Sequence, residues 1–223
     1  EVGLGKTMVA RGVIAKAIER LWDEVERIDI IYIIYICSNA GIAKQNIRRL
    51  NVMPDQDFSF SSRMTMIARD VKQLEGNKVN FVSFTPGTSF DLKSSTGMSD
   101  ERVLLYWLLR HVWGDEAVSG AGGRRLLQVD VGDDNWPKYL ERGELALGDV
   151  DARLLEGFTE DVAKLNGQDR FRDLATDFAH GVPEIDSPPR HLRNELIGEL
   201  RAALAKRCVH ALEPDLVILD EFQ

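Results

Sequence analysis

Cysteine is scarce in this chain, since only Cys37 and Cys208 occur among its 223 residues and no CxxC spacing is present. This excludes a disulfide framework and a cysteine-based zinc site, and it fits a reducing compartment, the cytoplasm. Long hydrophobic runs are also missing. The longest, residues 28–37, is interrupted by Asp29 and stays below the roughly 18 apolar residues that a membrane span needs. We therefore expect no membrane partner.

Basic charge is in deficit, with 28 Lys and Arg against 36 Asp and Glu and a net charge of −8. The deficit lies entirely within residues 111–205, which contain 19 acidic and 11 basic residues, while the remainder contains 17 of each. Such a segment repels nucleic-acid phosphates. We expect it to face away from any nucleic acid or to bind a partner protein.

The first residues, Glu1-Val2-Gly3-Leu4-Gly5-Lys6-Thr7, are rich in glycine and are followed at once by a helical pattern. This is typical of the end of a P-loop, whose backbone N–H groups bind nucleotide phosphates. Gly3 and Gly5 allow close approach of the backbone, Lys6 can neutralise the β- and γ-phosphates, and the Thr7 hydroxyl can bind Mg²⁺. The full pattern needs a further residue upstream, so we expect a segment of a longer protein. A chance Gly-Lys-Thr in a surface loop is the alternative.

The last residues contain the expected counterpart of this stretch. Four aliphatic residues, 216–219, are followed directly by Asp220 and Glu221. Such a strand brings Asp220 to the carboxyl edge of a parallel sheet, where α/β folds bind ligands. There Asp220 would hold Mg²⁺ and Glu221 would polarise the attacking water. Lys6 and Glu221 are the predicted catalytic residues, and an ordinary strand that ends in a solvated acidic turn is the alternative.

Strands and helices alternate in the outer parts of the chain, which predicts the α/β class with a doubly wound parallel sheet. Glycine-rich residues 114–123 and proline-rich residues 181–189 indicate flexible connections around a mostly helical insertion. We therefore divide the chain into residues 1–110, 111–205 and 206–223. The strand patterns cover residues 30–36, 80–84 and 216–219, and the helical patterns cover residues 8–21, 41–50, 61–74, 99–112 with Ser99 as the cap, and 191–212.

Together, the glycine-rich first residues and Asp220-Glu221-Phe222-Gln223 resemble motifs I and II of superfamily-two helicases. They are especially similar to those of Snf-type translocases, whose P-loop commonly reads Asp-Glu-x-Gly-Leu-Gly-Lys-Thr. Ser38-Asn39 with Gln45 and Asn46 is similar to motif Ia, and residues 85–90 stand where motif Ib is expected. The resemblance covers about residues 1–110 and 206–223. The chain departs from the family pattern in the roughly 130 residues before motif II, and motifs III to VI are not present.

The resemblance implies a RecA-like P-loop lobe that couples hydrolysis of ATP with Mg²⁺ to movement along nucleic acid, with duplex DNA as the expected track. A second RecA-like lobe of the same parent chain, carrying the arginine finger, would complete the site. This segment alone is therefore expected to bind ATP weakly and to hydrolyse it poorly. The implied metal ligands are Thr7 and Asp220, and the implied ATP-binding residues are Gly3, Leu4, Gly5, Lys6, Thr7, Met8, Asp220 and Gln223.

Candidate contacts to nucleic acid are Asn39, Arg48, Thr85 and Thr88. Residues 40–80 contain seven Lys and Arg against four Asp and Glu, and helical clusters of these cations can meet a phosphate backbone. Hydroxyls of the loop at residues 85–90 can donate to phosphates. A solvated helix face and an ordinary hydroxyl-rich loop explain the same residues. DNA or RNA, and strand separation or translocation, stay open alternatives.

Two other functions fit the same motifs. One is a P-loop ATPase that acts on protein, and the other is a nucleotide-dependent switch whose acidic insertion binds a partner protein. Either would lack hydrolysis that DNA stimulates, and this property separates both from a translocase.

Overall fold

A computed structural model describes residues 4–24, 28–53, 63–74, 76–84, 96–144 and 149–220. The chain is an α/β protein with a three-stranded parallel sheet. It forms two compact units, which we call the sheet unit (residues 1–90 with 212–223) and the helical unit (residues 91–211). Within the described ranges, no helix combines the length and the apolar character that crossing a membrane requires.

The sheet unit contains the strands and helices that the alternating pattern predicts. Their ends are shifted by a few residues, and the predicted helix at 61–74 is described only from a 3-10 turn, Met64–Met66, onward. The parallel pairing of the three strands confirms the predicted parallel sheet. The elements are α1 (Leu4–Glu24), β1 (Ile31–Cys37), α2 (Ala40–Leu50), α3 (Ile67–Leu74), β2 (Val79–Phe84) and β3 (Leu216–Asp220).

Strand β1 is central and pairs in parallel with β2 on one side and with β3 on the other. Its sequence, Ile-Tyr-Ile-Ile-Tyr-Ile-Cys, is rich in β-branched and aromatic residues, which favour strands. It is apolar on both faces, as the middle of a parallel sheet requires. Tyr35 lies opposite Ile218 of β3, and Cys37 lies opposite Asp220. The register therefore brings Asp220 to the carboxyl edge of β1.

Helices α1 and α2 and alternate residues of β1 form one buried apolar cluster. The buried helical residues recur with the helical period, while those of β1 are two positions apart and share one face of the sheet. Members of the cluster include Ile14, Ile18, Ile33, Tyr35, Ala43 and Ile47. The packing of both helices on one face of the sheet fixes α1 close to the end of β3.

All the named elements of the helical unit are helices, which agrees with the predicted, mostly helical insertion. Helix α4 packs against α5, α6 and α7, and α9 packs against α6 and α8. Because α4 makes these contacts, the compact unit begins near residue 91 and not at 111, where the acidic surplus begins. Its helices are α4 (Ser99–Trp113), α5 (Asp115–Ser119), α6 (Ala121–Gln128), α7 (Trp136–Arg142), α8 (Ala152–Lys164), α9 (Gly167–Asp177) and α10 (Pro188–Leu212).

Buried ion pairs join the helices of this unit. Arg201 of α10 donates from Nη2 to Oε1 of Glu101 on α4 over 2.9 Å, and the two side chains are 1% and 2% exposed. Arg207 of α10 donates to both carboxylate oxygens of Asp161 on α8, at 2.8 and 2.7 Å. These hydrogen bonds hold the pKa of Asp161 well below its usual range. Buried charges need such partners because their desolvation is costly.

The prediction of a flexible connection at residues 114–123 is wrong, because α5 and α6 occupy this stretch. Gly122 and Gly123 are buried in α6. A Cβ atom at Gly122 would lie 1.8 Å from the carbonyl oxygen of Ala175 on α9. Glycine at this position therefore permits close contact between two helices, which a pattern of glycines in the sequence cannot distinguish from flexibility.

Two helix starts also differ from the prediction. Ser99 is not the cap of α4: Met98 occupies that position, and its N–H donates to the Glu101 side chain over 2.9 Å. Helix α10 begins at Pro188 and so shortens the predicted connection at 181–189. Proline is tolerated there because the N–H groups of the first helical turn have no partner within the helix.

Candidate functional site

A cavity of about 250 Å³ lies at the carboxyl edge of the sheet, within the sheet unit. It brings the two ends of the sequence together, because Lys6 and Thr7 of α1 and Asp220 of β3 all line it. The helix that follows the glycine-rich stretch and the strand that carries the acidic residue thus share one site. The remaining lining residues are Ala10, Tyr35, Asn46, Leu50, Ile218 and Leu219.

The beginning of α1 supplies the cationic side of this cavity. The helix starts at Leu4, so Lys6 and Thr7 stand in its first turn. The N–H groups of a first turn lack partners within the helix, and the helix dipole favours anions at this end. Lys6 is exposed and Thr7 is partly buried. This end of the cavity therefore suits a phosphate group.

Asp220 supplies the anionic side and is held by two neutral groups. The Tyr35 hydroxyl donates to Oδ2 of Asp220. The Asn46 amide donates to the same Oδ2 and to the Tyr35 oxygen, both at 3.1 Å. Burial raises the pKa of Tyr35, and its hydrogen bond to Asp220 raises it further. The phenol therefore stays protonated and acts as a donor.

These three side chains meet because of the period of the strands. Tyr35 and Cys37 are two residues apart on β1 and share a face of the sheet. Asp220 lies opposite Cys37 in the adjacent strand, so its side chain points to the same face. Asn46 is a partly buried residue of α2, the helix that covers this face.

The chemistry of the donors fits Mg²⁺. Carboxylate and hydroxyl oxygens are the ligands that Mg²⁺ prefers, and it is usually held by one or two carboxylates, waters and substrate phosphates. Asp220 and Thr7 line the same cavity and provide one oxygen donor of each type. The described part of the chain has no cluster of three or more His, Cys, Asp and Glu side chains suited to a metal. An ion at this site would therefore depend on nucleotide phosphates.

Two other predicted ATP-site residues, Gly5 and Met8, are not among the residues that line the cavity. Leu4 and Gly5 belong to the first turn of α1, and Gly5 is exposed. Met8 is 67% exposed, and Ala10 lines the cavity in its place. Gly3, Glu221 and Gln223 lie outside the described residues.

The predicted nucleic-acid contacts are described only in part. Asn39 caps α2, because its Oδ1 accepts hydrogen bonds from the N–H groups of Gly41 and Ile42, at 2.8 and 3.2 Å. Arg48 is exposed in the last turn of the same helix. Thr85 and Thr88 lie outside the described residues. Of the predicted contacts, the structure therefore describes Asn39, which is a helix cap, and Arg48, which is exposed.

The sequence does not predict Tyr35 as a site residue. Asn46 appears in the sequence analysis only within the stretch that is similar to motif Ia. One signal in the sequence could have indicated Tyr35, since it is the tyrosine nearer to the carboxyl end of the strand, the end at which parallel sheets bind ligands. Asn46 lies one residue before the buried Ile47 and could have been recognised as a polar residue near the inner face of α2.

Larger clefts exist in the helical unit, and two of the carboxylates that line one of them are paired with arginines. A cleft of about 480 Å³ is lined by Asp161 and Glu199 together with Lys164 and Lys206. Asp161 is paired with Arg207, and Glu199 is paired with Arg170. These two carboxylates are engaged in holding helices together, in contrast to Asp220 of the sheet unit.

Comparison with known proteins gave no match: no family model, no curated protein and no solved structure matches the chain.

Proposed function

We propose that this chain is the first motor lobe of an ATP-dependent helicase or translocase of the Snf-like type, with a RecA-like fold and duplex DNA as its track. The observation that carries the proposal is the shared cavity of Lys6, Thr7 and Asp220. A glycine-rich stretch before a helix and an acidic residue after a strand serve a P-loop ATPase only if they meet in space. In this chain, Lys6 and Thr7 line one cavity with Asp220, which supports the proposal.

In the proposed reaction, the first turn of α1 binds the phosphates through its backbone N–H groups, and the Lys6 ammonium neutralises the β- and γ-phosphates. Thr7 and Asp220 would hold Mg²⁺, which would supply positive charge to stabilise the transferred group. Glu221, outside the described residues, orients the attacking water and accepts its proton. Most of the catalysis then comes from positioning and from electrostatic stabilisation.

The size of the cavity supports a site that holds only part of a nucleotide. At about 250 Å³ it falls below the roughly 300–1,000 Å³ of pockets that enclose a drug-sized ligand. It suits the triphosphate end of a nucleotide and its ion, with the base and sugar held elsewhere. A second lobe of the parent protein would supply the missing contacts and the arginine that completes hydrolysis.

The exposed end of α2 supports contact with nucleic acid. Arg48 and Arg49 are both exposed in its last turn, and exposed arginines neutralise backbone phosphates. Neither Cys37 nor Cys208 forms a disulfide and both are buried, which accords with a cytoplasmic protein.

The test is ATP turnover by the full-length protein, with and without duplex DNA. We expect DNA to stimulate turnover, and Lys6→Ala and Glu221→Gln each to lower it by about 100-fold or more. Lys16→Ala, an exposed lysine farther along α1, is the matched control and should leave turnover unchanged. Turnover without stimulation would favour an ATPase or a switch that acts on protein. Unchanged turnover in both site variants would refute the site.

A further inference from the structure

We propose that Tyr35 and Asn46 are positioning residues that orient Asp220 toward the metal of a bound Mg²⁺–nucleotide. This inference rests on the proposed function of the cavity. It assigns a role to two side chains that the motifs leave without one.

The hydrogen bonds select one oxygen of the carboxylate. The Tyr35 hydroxyl and the Asn46 amide both donate to Oδ2 of Asp220. Neither of these contacts involves Oδ1, so Oδ1 remains for the ion or for one of its waters. Outer partners of this kind fix the direction of a metal ligand.

The donors fix the carboxylate without neutralising it. A phenol and an amide are neutral, and Asp220 forms no ion pair with any described residue. An arginine in the same place would orient Asp220 but would also compensate its charge. The neutral pair therefore adds no positive charge beside Asp220.

Both donors are held firmly in place. Tyr35 is fully buried in the central strand, and Asn46 lies on α2 between the buried residues Ala43 and Ile47. Asn46 also donates to the Tyr35 oxygen over 3.1 Å, so the three side chains form a closed triangle. Rotation of any one of them would break two hydrogen bonds.

The attachment of β3 to the sheet does not require this triangle. The ladder to β1 covers residues 216–220. At the start of β3, Asp215 accepts from the Tyr32 N–H over 2.9 Å and donates its own N–H to the Tyr32 carbonyl over 3.0 Å. The strand is therefore fixed by its backbone and its first residues. This leaves the orientation of Asp220 as the effect that the triangle adds.

The experiment measures binding of a fluorescent ATP analogue to the full-length protein as Mg²⁺ is titrated, without turnover. In Tyr35→Phe and in Asn46→Ala, we expect the Mg²⁺ concentration at half-maximal binding to rise about tenfold, as is usual when an outer partner of a metal ligand is lost. Binding in excess EDTA should not change. Tyr32→Phe, on the opposite face of the same strand, is the matched control and should keep the original Mg²⁺ dependence.

Three results would overturn the inference, and they differ in what else they affect. An unchanged Mg²⁺ dependence in both variants, with nucleotide binding lost in Lys6→Ala, removes the positioning role and keeps the proposed function. Equal weakening with Mg²⁺ and with EDTA, accompanied by a lower melting temperature, shows that the triangle only supports the fold. Absence of nucleotide binding in the wild-type protein removes the proposed function and this inference together.

Discussion

Carboxylates are held differently in the two units. In the helical unit, Glu101 and Asp161 are each bonded to an arginine, so their charge is compensated within the fold. In the sheet unit, Asp220 accepts hydrogen bonds from a phenol and an amide, which are neutral. The first arrangement stabilises contacts between helices, whereas the second leaves a charge that a cation can use. The partner of a carboxylate therefore says more about its role than burial does.

The same difference explains why cleft size is a poor guide in this protein. The cleft of about 480 Å³ in the helical unit has charged walls, yet Asp161 and Glu199 in those walls are already paired with arginines. The cavity of the sheet unit is about half as large. It nevertheless combines a lysine, a hydroxyl and a carboxylate without an arginine partner, which is the combination that a phosphate with Mg²⁺ requires.

The largest effect should come from Arg201→Met, which leaves Glu101 buried without its guanidinium partner. We expect the free energy of unfolding of the helical unit to fall by about 3–5 kcal/mol. Urea denaturation followed by tryptophan fluorescence measures it, because Trp107, Trp113 and Trp136 lie in this unit.

Arg172→Met is the matched control for that variant. Arg172 pairs with Asp169 on the surface, where both side chains are 62% exposed, so its loss should cost at most about 0.5 kcal/mol. If the two variants lost equal stability, the buried pair would have no special structural role, and the contrast with Asp220 would fail.

A smaller effect, which depends on pH, is expected for Asp161→Asn. The hydrogen bonds from Arg207 lower the pKa of Asp161 in the folded state, so its contribution is complete above the unfolded value of about 3.9. It is lost as the pH falls through the folded pKa. Near neutral pH the variant should be less stable by about 2 kcal/mol, and the gap should narrow below about pH 4. Urea midpoints across this range measure it, and a constant gap would contradict the assignment.

Of the two carboxylate variants, Asp220→Asn should have the smaller effect on stability. The amide oxygen can still accept from Tyr35 and Asn46, so the free energy of unfolding should change by less than about 1 kcal/mol. Mg²⁺-dependent binding of a fluorescent ATP analogue should nevertheless be lost. Circular dichroism in urea and the nucleotide titration measure the two effects separately. A loss of several kcal/mol would place Asp220 with Glu101 among the structural carboxylates.

Much of the site could be predicted because its motif residues are recognised from short stretches. Lys6 and Thr7 follow Gly5 in the first turn of α1, and Asp220 ends an aliphatic strand. Both patterns are local, and their meeting follows from the general rule that ligands bind at the carboxyl edge of parallel strands. The strands were predictable for a similar reason, since runs of β-branched residues favour extended backbone.

The wrong predictions concern which groups particular residues contact. The glycines at 122 and 123 indicated flexibility, but Gly122 lies against the backbone of Ala175, a residue far along the chain. Ser99 is a common cap residue, but the N–H of Met98 is satisfied by Glu101. At Gly122 the partner is distant in the sequence, so no local pattern reveals it. At Met98 the partner is three residues away, and its hydrogen bond outweighs the general preference for serine as a cap.

The sequence by itself determined the α/β class, the helical character of the middle segment and the residues of the two motifs, because each depends on composition and periodicity over a few residues. Only the tertiary structure decided which groups surround Asp220. Tyr35 and Asn46 reach it because β3, although nearly 180 residues later in the chain, pairs with β1 in one particular register. That register depends on packing of the whole sheet unit. It gives Asp220 the neutral partners Tyr35 and Asn46, whereas Glu101 and Asp161 of the helical unit are paired with arginines.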